Sequence, residues 1–118
     1  MQRLVRNAGR VNLILEWEKL GEDHLVKLTG GAVHIGAAAL GIFDIESGRA
    51  SSSVLTVPGH REDEIVLIGA RKLSEASRSS TMFLAGIHVD GINRKEIEEI
   101  VAVSKEMINE LARILQEE

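Results

Sequence analysis

The sequence predicts an α+β domain, a mostly antiparallel sheet with helices packed on one face. Three observations carry that expectation. The first half alternates apolar and polar residues with period two. After Pro58 the spacing changes to one near 3.6. Gly, Pro and Asp cluster where the pattern breaks. The 118 residues suit one domain with its own hydrophobic core, with elements in the order β-β-β-β-α-β-α.

Val11, Leu13, Leu15 and Trp17 fall on one side of Val11–Glu18, as a half-buried strand requires. Lys19–Asp23 carries Gly and Asp and predicts a hairpin turn into a second strand, His24–Thr29. Gly30 and Gly31 read as the next turn or a bulge. Ala32–Phe43 then reads as a third strand, with Val33, Ile35, Ala37 and Ala39 on one face and His34, Gly36, Ala38 and Leu40 on the other. The stretch "DIESGRA" is a loop, and Ser51–Val57 is a fourth strand stopped by Pro58 and Gly59.

From Arg61 to Ser77, Ile65, Ile68, Gly69, Leu73 and Ala76 recur near helical spacing. Glu62, Asp63 and Glu64 suit the positive end of that helix dipole. Ser80–Val89 is a fifth strand, ended by Asp90 and Gly91. Asn93 with Glu96 three residues on predicts a capping box. The last helix runs to about Leu115, with Ile97, Ile100, Val101, Ser104, Ile108, Leu111 and Leu115 as its buried stripe.

The totals exclude several function classes. The chain has no cysteine, so disulfides, thiol chemistry and cysteine-ligated metals are out, and a reducing cytoplasm fits. The net charge of −4 and 3% aromatic content disfavour a nucleic-acid surface. "MQRLVRNAGR" is basic but no apolar signal region follows, and no run reaches the roughly 20 apolar residues of a membrane span. We therefore expect a cytoplasmic protein that binds neither nucleic acid nor membrane.

Four histidines are present, and three of them lie beside turn residues: His34 in "TGGAVHIGAAALG", His60 in "PGHRED" and His88 in "AGIHVDG". The first phrase is neither a P-loop nor a dinucleotide fingerprint. Its small residues, Gly36, Ala37, Ala38, Ala39 and Gly41, let a helix, a neighbouring subunit or a flat ligand approach. His60 and Arg61 stand ahead of a helix start, where free N–H groups and a guanidinium suit a phosphate. The acidic run that follows can fill the same role. His88 and Asp90, two residues apart on a strand, share a face, and the carboxylate would fix the imidazole tautomer. With His34 or His60 they could form a two-histidine, one-carboxylate metal site. For each imidazole the plain alternative is a hydrogen-bonded structural role. His24 has no glycine neighbour and is expected at the surface. No Gly-x-Ser-x-Gly elbow supports serine hydrolase chemistry.

Taken in order, the phrases "TGGAVHIGAAALG", "PGHRED" and "GIHVDG" resemble those of the prenylated-flavin chaperone-like proteins of the LpdD type, the D subunit of gallate and protocatechuate decarboxylase systems. The resemblance runs from about Leu13 to Leu115. It implies a fold like that of proteasome-assembling chaperone 3, usually paired as a homodimer. It implies a non-catalytic role, holding or delivering prenylated FMN, or FMN, for a client decarboxylase. The residues it marks are Gly30, Gly31, His34, Gly36, Pro58, Gly59, His60, His88 and Asp90; the helix start after Pro58 and Arg61 would meet the phosphate. Two rivals stand beside this reading: an assembly chaperone without a small ligand, and a small His/Asp metal-dependent enzyme. Pairing of two copies would also cover the sheet's exposed edge strands.

Overall fold

The computed structural model describes residues 1–58 and 62–118; Gly59, His60 and Arg61 lie outside the described residues. The order is β1 (Gln2–Ala8), β2 (Val11–Leu20), β3 (Asp23–Gly31), β4 (Ala37–Asp44), β5 (Arg49–Thr56), α1 (Asp63–Ser77), β6 (Thr81–His88) and α2 (Arg94–Gln116). One six-stranded sheet is ordered β1-β2-β3-β6-β4-β5. Every neighbouring pair is antiparallel except β3 and β6, which run parallel. The expected α+β architecture is the one observed, with one parallel pair and one more strand than the sequence pattern predicts.

That extra strand is β1. Leu4, Arg6 and Ala8 face inward on it opposite Leu15, Leu13 and Val11. Arg6 interrupts the apolar alternation, which hides the strand in the sequence. Its guanidinium reaches Glu110 of α2 at 2.7 Å and 3.0 Å, so a charge stands at an inward position.

Val11, Leu13, Leu15, Trp17, Val26, Leu28, Ala37, Ala39, Phe83 and Ala85 are buried beneath the helices. α1 packs on β4, β5 and β6, α2 on β1 and β2, and the helices touch each other. Full burial of a Leu or Phe side chain contributes about 1.5–3 kcal/mol, so this layer is the main source of stability. Met107 joins the buried stripe of α2. The capping box forms as expected: Asn93 Oδ1 accepts from Glu96 N at 2.8 Å, and Glu96 Oε1 from Asn93 N at 3.1 Å.

The expected third strand, Ala32–Phe43, is a shorter strand preceded by a crossing segment. Gly30 and Gly31 end β3 instead of forming a separate turn. Ala32 N donates to His88 O at 3.2 Å on one side of β6. Gly36 N donates to Ala85 O at 2.8 Å on the other side. Between these bonds, residues 32–36 pass over the helix-free face of β6. A Cβ on Gly86 would collide with the His34 carbonyl, so only glycine admits the crossing. Val33 and Ile35 are consequently exposed, while Ala37 and Ala39 are in the core. The alternation that grouped the four breaks at the crossing.

His24, expected at the surface, is 5% exposed. It lies on the inner face of β3, paired with Thr81, and its Nδ1 is 3.1 Å from Ser79 Oγ. Its polar neighbours in sequence belong to the Gly21 hairpin turn, but strand alternation carries its ring inward.

Two outcomes follow. Gly86→Ala forces the backbone crossing apart and is expected to cost about 1–3 kcal/mol or more, read by urea denaturation; an unchanged midpoint would contradict the crossing. Burial lowers the His24 pKa most; Glu118 opposes, Lys19 adds to the fall, and Asp23 and Glu22 oppose. The folded chain therefore holds this proton less tightly than the unfolded chain. The stability is complete above about pH 6.5 and is lost as pH falls through that value toward the lower folded pKa. From about pH 7.5 to about pH 5, the Tm of the native chain should fall more than that of His24→Gln. Equal slopes would place the imidazole in water.

Candidate functional site

β3 and β6 end side by side, with Gly31 opposite His88. The carboxyl ends of parallel strands, where the chain departs in different directions, are where α/β sheets place ligands. Here β3 leaves into the crossing segment and β6 into the turn before α2. The first carries His34; the second follows His88 and contains Asp90. The two rings approach edge to face, their centroids 6.2 Å apart at 87°.

Each ring has polar company. His34 Nδ1 lies 3.1 Å from Ala32 O. A carbonyl only accepts, so Nδ1 carries the proton of the neutral ring and leaves Nε2 as an acceptor. His34 Nε2 lies 4.0 Å from Glu62 Oε1. His88 Nε2 is 3.0 Å from Asp90 Oδ1. β6 stops at His88, so Asp90 reaches the ring from the following turn and not from a shared strand face.

The residue that sequence reasoning missed is Glu62. Its acidity suits a helix start, and it does precede α1, yet it makes no side-chain cap there. It turns into the sheet instead, and its side chain is only 9% exposed. Glu62 Oε1 accepts from Ile87 N at 3.2 Å. That N–H points toward the side of β6 where β4 would continue had the chain not crossed over. A carboxylate oxygen thus takes the place of a strand carbonyl. The signal that could have found it is Gly36: a Cβ there would lie 2.5 Å from Glu62 Oε2.

The marked glycines have packing reasons of their own. Gly30 faces the core, where a Cβ would stand 2.8 Å from Leu13 Cδ2. Gly31 has φ +67°, and a Cβ there would strike the His88 carbonyl. Gly36 makes room for Glu62. So Gly31, His34, Gly36, His88 and Asp90 come together, Gly30 points away, and Gly59, His60 and Arg61 are outside the described residues. Pro58, beside them in sequence, is exposed.

Arg10, in the β1–β2 turn, braces this end. Its Nη2 donates to Asp90 O at 2.6 Å and to Glu96 Oε1 at 3.2 Å, and its Nε to Glu96 Oε2 at 2.5 Å. The Arg10 guanidinium, then the Asn93 N–H, hold the Glu96 carboxyl below its ordinary pKa.

With His34 Nδ1 directed at Ala32 O and His88 Nε2 at Asp90 Oδ1, each neutral ring keeps one acceptor nitrogen, so two imidazoles and two carboxylates together accept from imide N–H or hydroxyl groups. The imide N–H and ribityl hydroxyls of a flavin therefore fit this acceptor set. Its ring would rest on imidazole and aliphatic surface, because Trp17 and Phe83 are buried in the core and Phe43 lies under Arg78, 5.3 Å from the guanidinium carbon. Among the described residues, no group of at least three His, Cys, Asp or Glu side chains gathers at metal-binding spacing. Among the same residues, no helix is long and apolar enough to cross a membrane.

No curated protein matches the sequence. Among solved structures, a chain from a chaperone complex for yeast 20S proteasome assembly is similar with a TM-score of 0.59, at 9% identity and over 97% of each chain. At that identity the likeness concerns the fold, and it agrees with the architecture described above. The family model for the prenylated flavin chaperone LpdD-like domain matches residues 7–116, and the chain belongs to that family.

Proposed function

We propose that this protein is a non-catalytic, cytoplasmic chaperone that binds prenylated FMN, or FMN, and passes it to a decarboxylase. The observation that carries the reading is the meeting of His34 and His88, each near a carboxylate, at the ends of the parallel strands. The family description, a prenylated flavin chaperone, supports the ligand. In this reading His34 Nε2 and His88 Nδ1, with Glu62 and Asp90, accept from the flavin's imide N–H and ribityl hydroxyls, and His60 and Arg61 meet the phosphate. Bound flavin would supply its chemistry in the client enzyme, and this chain keeps it shielded and oriented.

A second reading, an assembly chaperone without a small ligand, is favoured by one specific observation. The helix-free face of the sheet carries Leu40, Ile42 and the 80%-exposed Leu55, beside half-buried Leu25, Met82 and Leu84. Contiguous apolar surface of this kind suits a protein partner. Both readings accommodate a homodimer, and we place its contact on this face, in preference to the sheet edges.

Native mass spectrometry with prenylated FMN and FMN tests the first reading. Saturable binding of one flavin per chain is expected, weakened about tenfold or more in a His34→Ala, His88→Ala double variant, since each lost hydrogen bond to a ligand costs roughly 1 kcal/mol or more. No binding to either flavin would overturn it in favour of the second. For the dimer, sedimentation should show the native chain as two copies and Leu40→Glu with Leu55→Glu as one, at similar Tm. A native chain that remains single at every concentration would refute the pairing.

A further inference from the structure

The opposite end of the parallel pair holds a second polar cluster. His24, Thr81 and Gly41 are neighbours across β3, β6 and β4, in one row on the helix-covered face. Ser74 of α1 stands directly above Gly41, its Oγ in the space a Cβ there would need. His24 is 5% exposed, and Thr81 and Ser74 are fully buried. Three of their polar atoms, His24 Nε2, Thr81 Oγ1 and Ser74 Oγ, have no hydrogen-bond partner among the described residues.

Leaving one such atom dry is costly, and three on neighbouring backbone positions are rare in native proteins. The other side of the imidazole is served: Ser77 Oγ is 2.8 Å from Ser79 Oγ, which is 3.1 Å from His24 Nδ1. This short polar chain runs from the half-exposed loop after α1 to the buried ring. It stops at the ring, whose Nε2 has no partner among the described residues.

We infer that His24 Nε2, Thr81 Oγ1 and Ser74 Oγ together bind one internal water molecule beneath the C-terminal half of α1. Water suits the place because it both donates and accepts, and so serves either imidazole tautomer and both hydroxyls. About three bonds to otherwise unsatisfied groups is the usual complement of a buried water. The site is separate from the His34–His88 end and does not depend on any flavin.

Isosteric variants read the inference by sign. A hydroxyl with no partner is a liability, so removing it should stabilise the fold; a hydroxyl that holds a water should destabilise the fold when lost. We expect Thr81→Val and Ser74→Ala each to lower the Tm by about 3–6 °C. The double variant should lose less than the sum, because both side chains share one ligand. Water–amide cross-relaxation by NMR should show a long-lived water near Thr81 in the native chain, lost in Thr81→Val. A higher Tm in either variant would overturn the inference. So would a lower Tm without the water signal, which would mean a direct hydroxyl contact.

Discussion

The passage of residues 32–36 over β6 is the constraint on which the remaining architecture depends. β3 and β4 are consecutive in sequence yet lie on opposite sides of β6. The chain must therefore climb over the sheet's central strand, and it does so above Gly86, where no side chain stands in the way. The parallel pairing of β3 with β6, the late start of β4 and the exposure of Val33 and Ile35 all follow from that step. A conventional β3–β4 hairpin would have kept His34 inside a strand, away from the end of β6.

The crossing also leaves a gap. Where β4 no longer accompanies β6, Ile87 N would lack a partner, and the Glu62 carboxylate supplies one. A charged group so little exposed is stable only when hydrogen-bonded, and this one is. The same residue stands at the start of α1 and so ties helix, crossing segment and strand together. The candidate cluster is thus a by-product of how the chain repairs its own topology. Arg10 performs a related service on the far side by fixing Asp90 and Glu96 to the β1–β2 turn.

Much of this was legible in the sequence. Period-two alternation marked β2, β3, β5 and β6, and the Asn93–Glu96 capping box set the start of α2. His34, His88 and Asp90 stand out because each lies near glycine, and one of those glycines, Gly86, marks the backbone crossing. What stayed hidden depends on contacts between distant residues. β1 was masked by Arg6, whose inward position is stabilised by Glu110, 104 residues on. His24 read as a surface residue because its acidic turn is exposed, although the ring one step later is not. Glu62 read as a helix-dipole residue, since nothing local reveals that its side chain turns into a sheet. The break at residues 32–36 required knowing that β6 would come between β3 and β4.

The position of β6 has a consequence for the chain's synthesis. It occupies the middle of the sheet but is the last strand made, after five others and α1. As the polypeptide leaves the ribosome, β1–β3 and the β4–β5 hairpin can each pair locally, but they remain separate pieces with apolar edges open. They join only when residues 81–88 emerge and enter between them. α2 follows at once and covers β1 and β2. Until then the nascent chain displays two unpaired inner edges, which makes this interval the time when it most needs protection from other nascent chains.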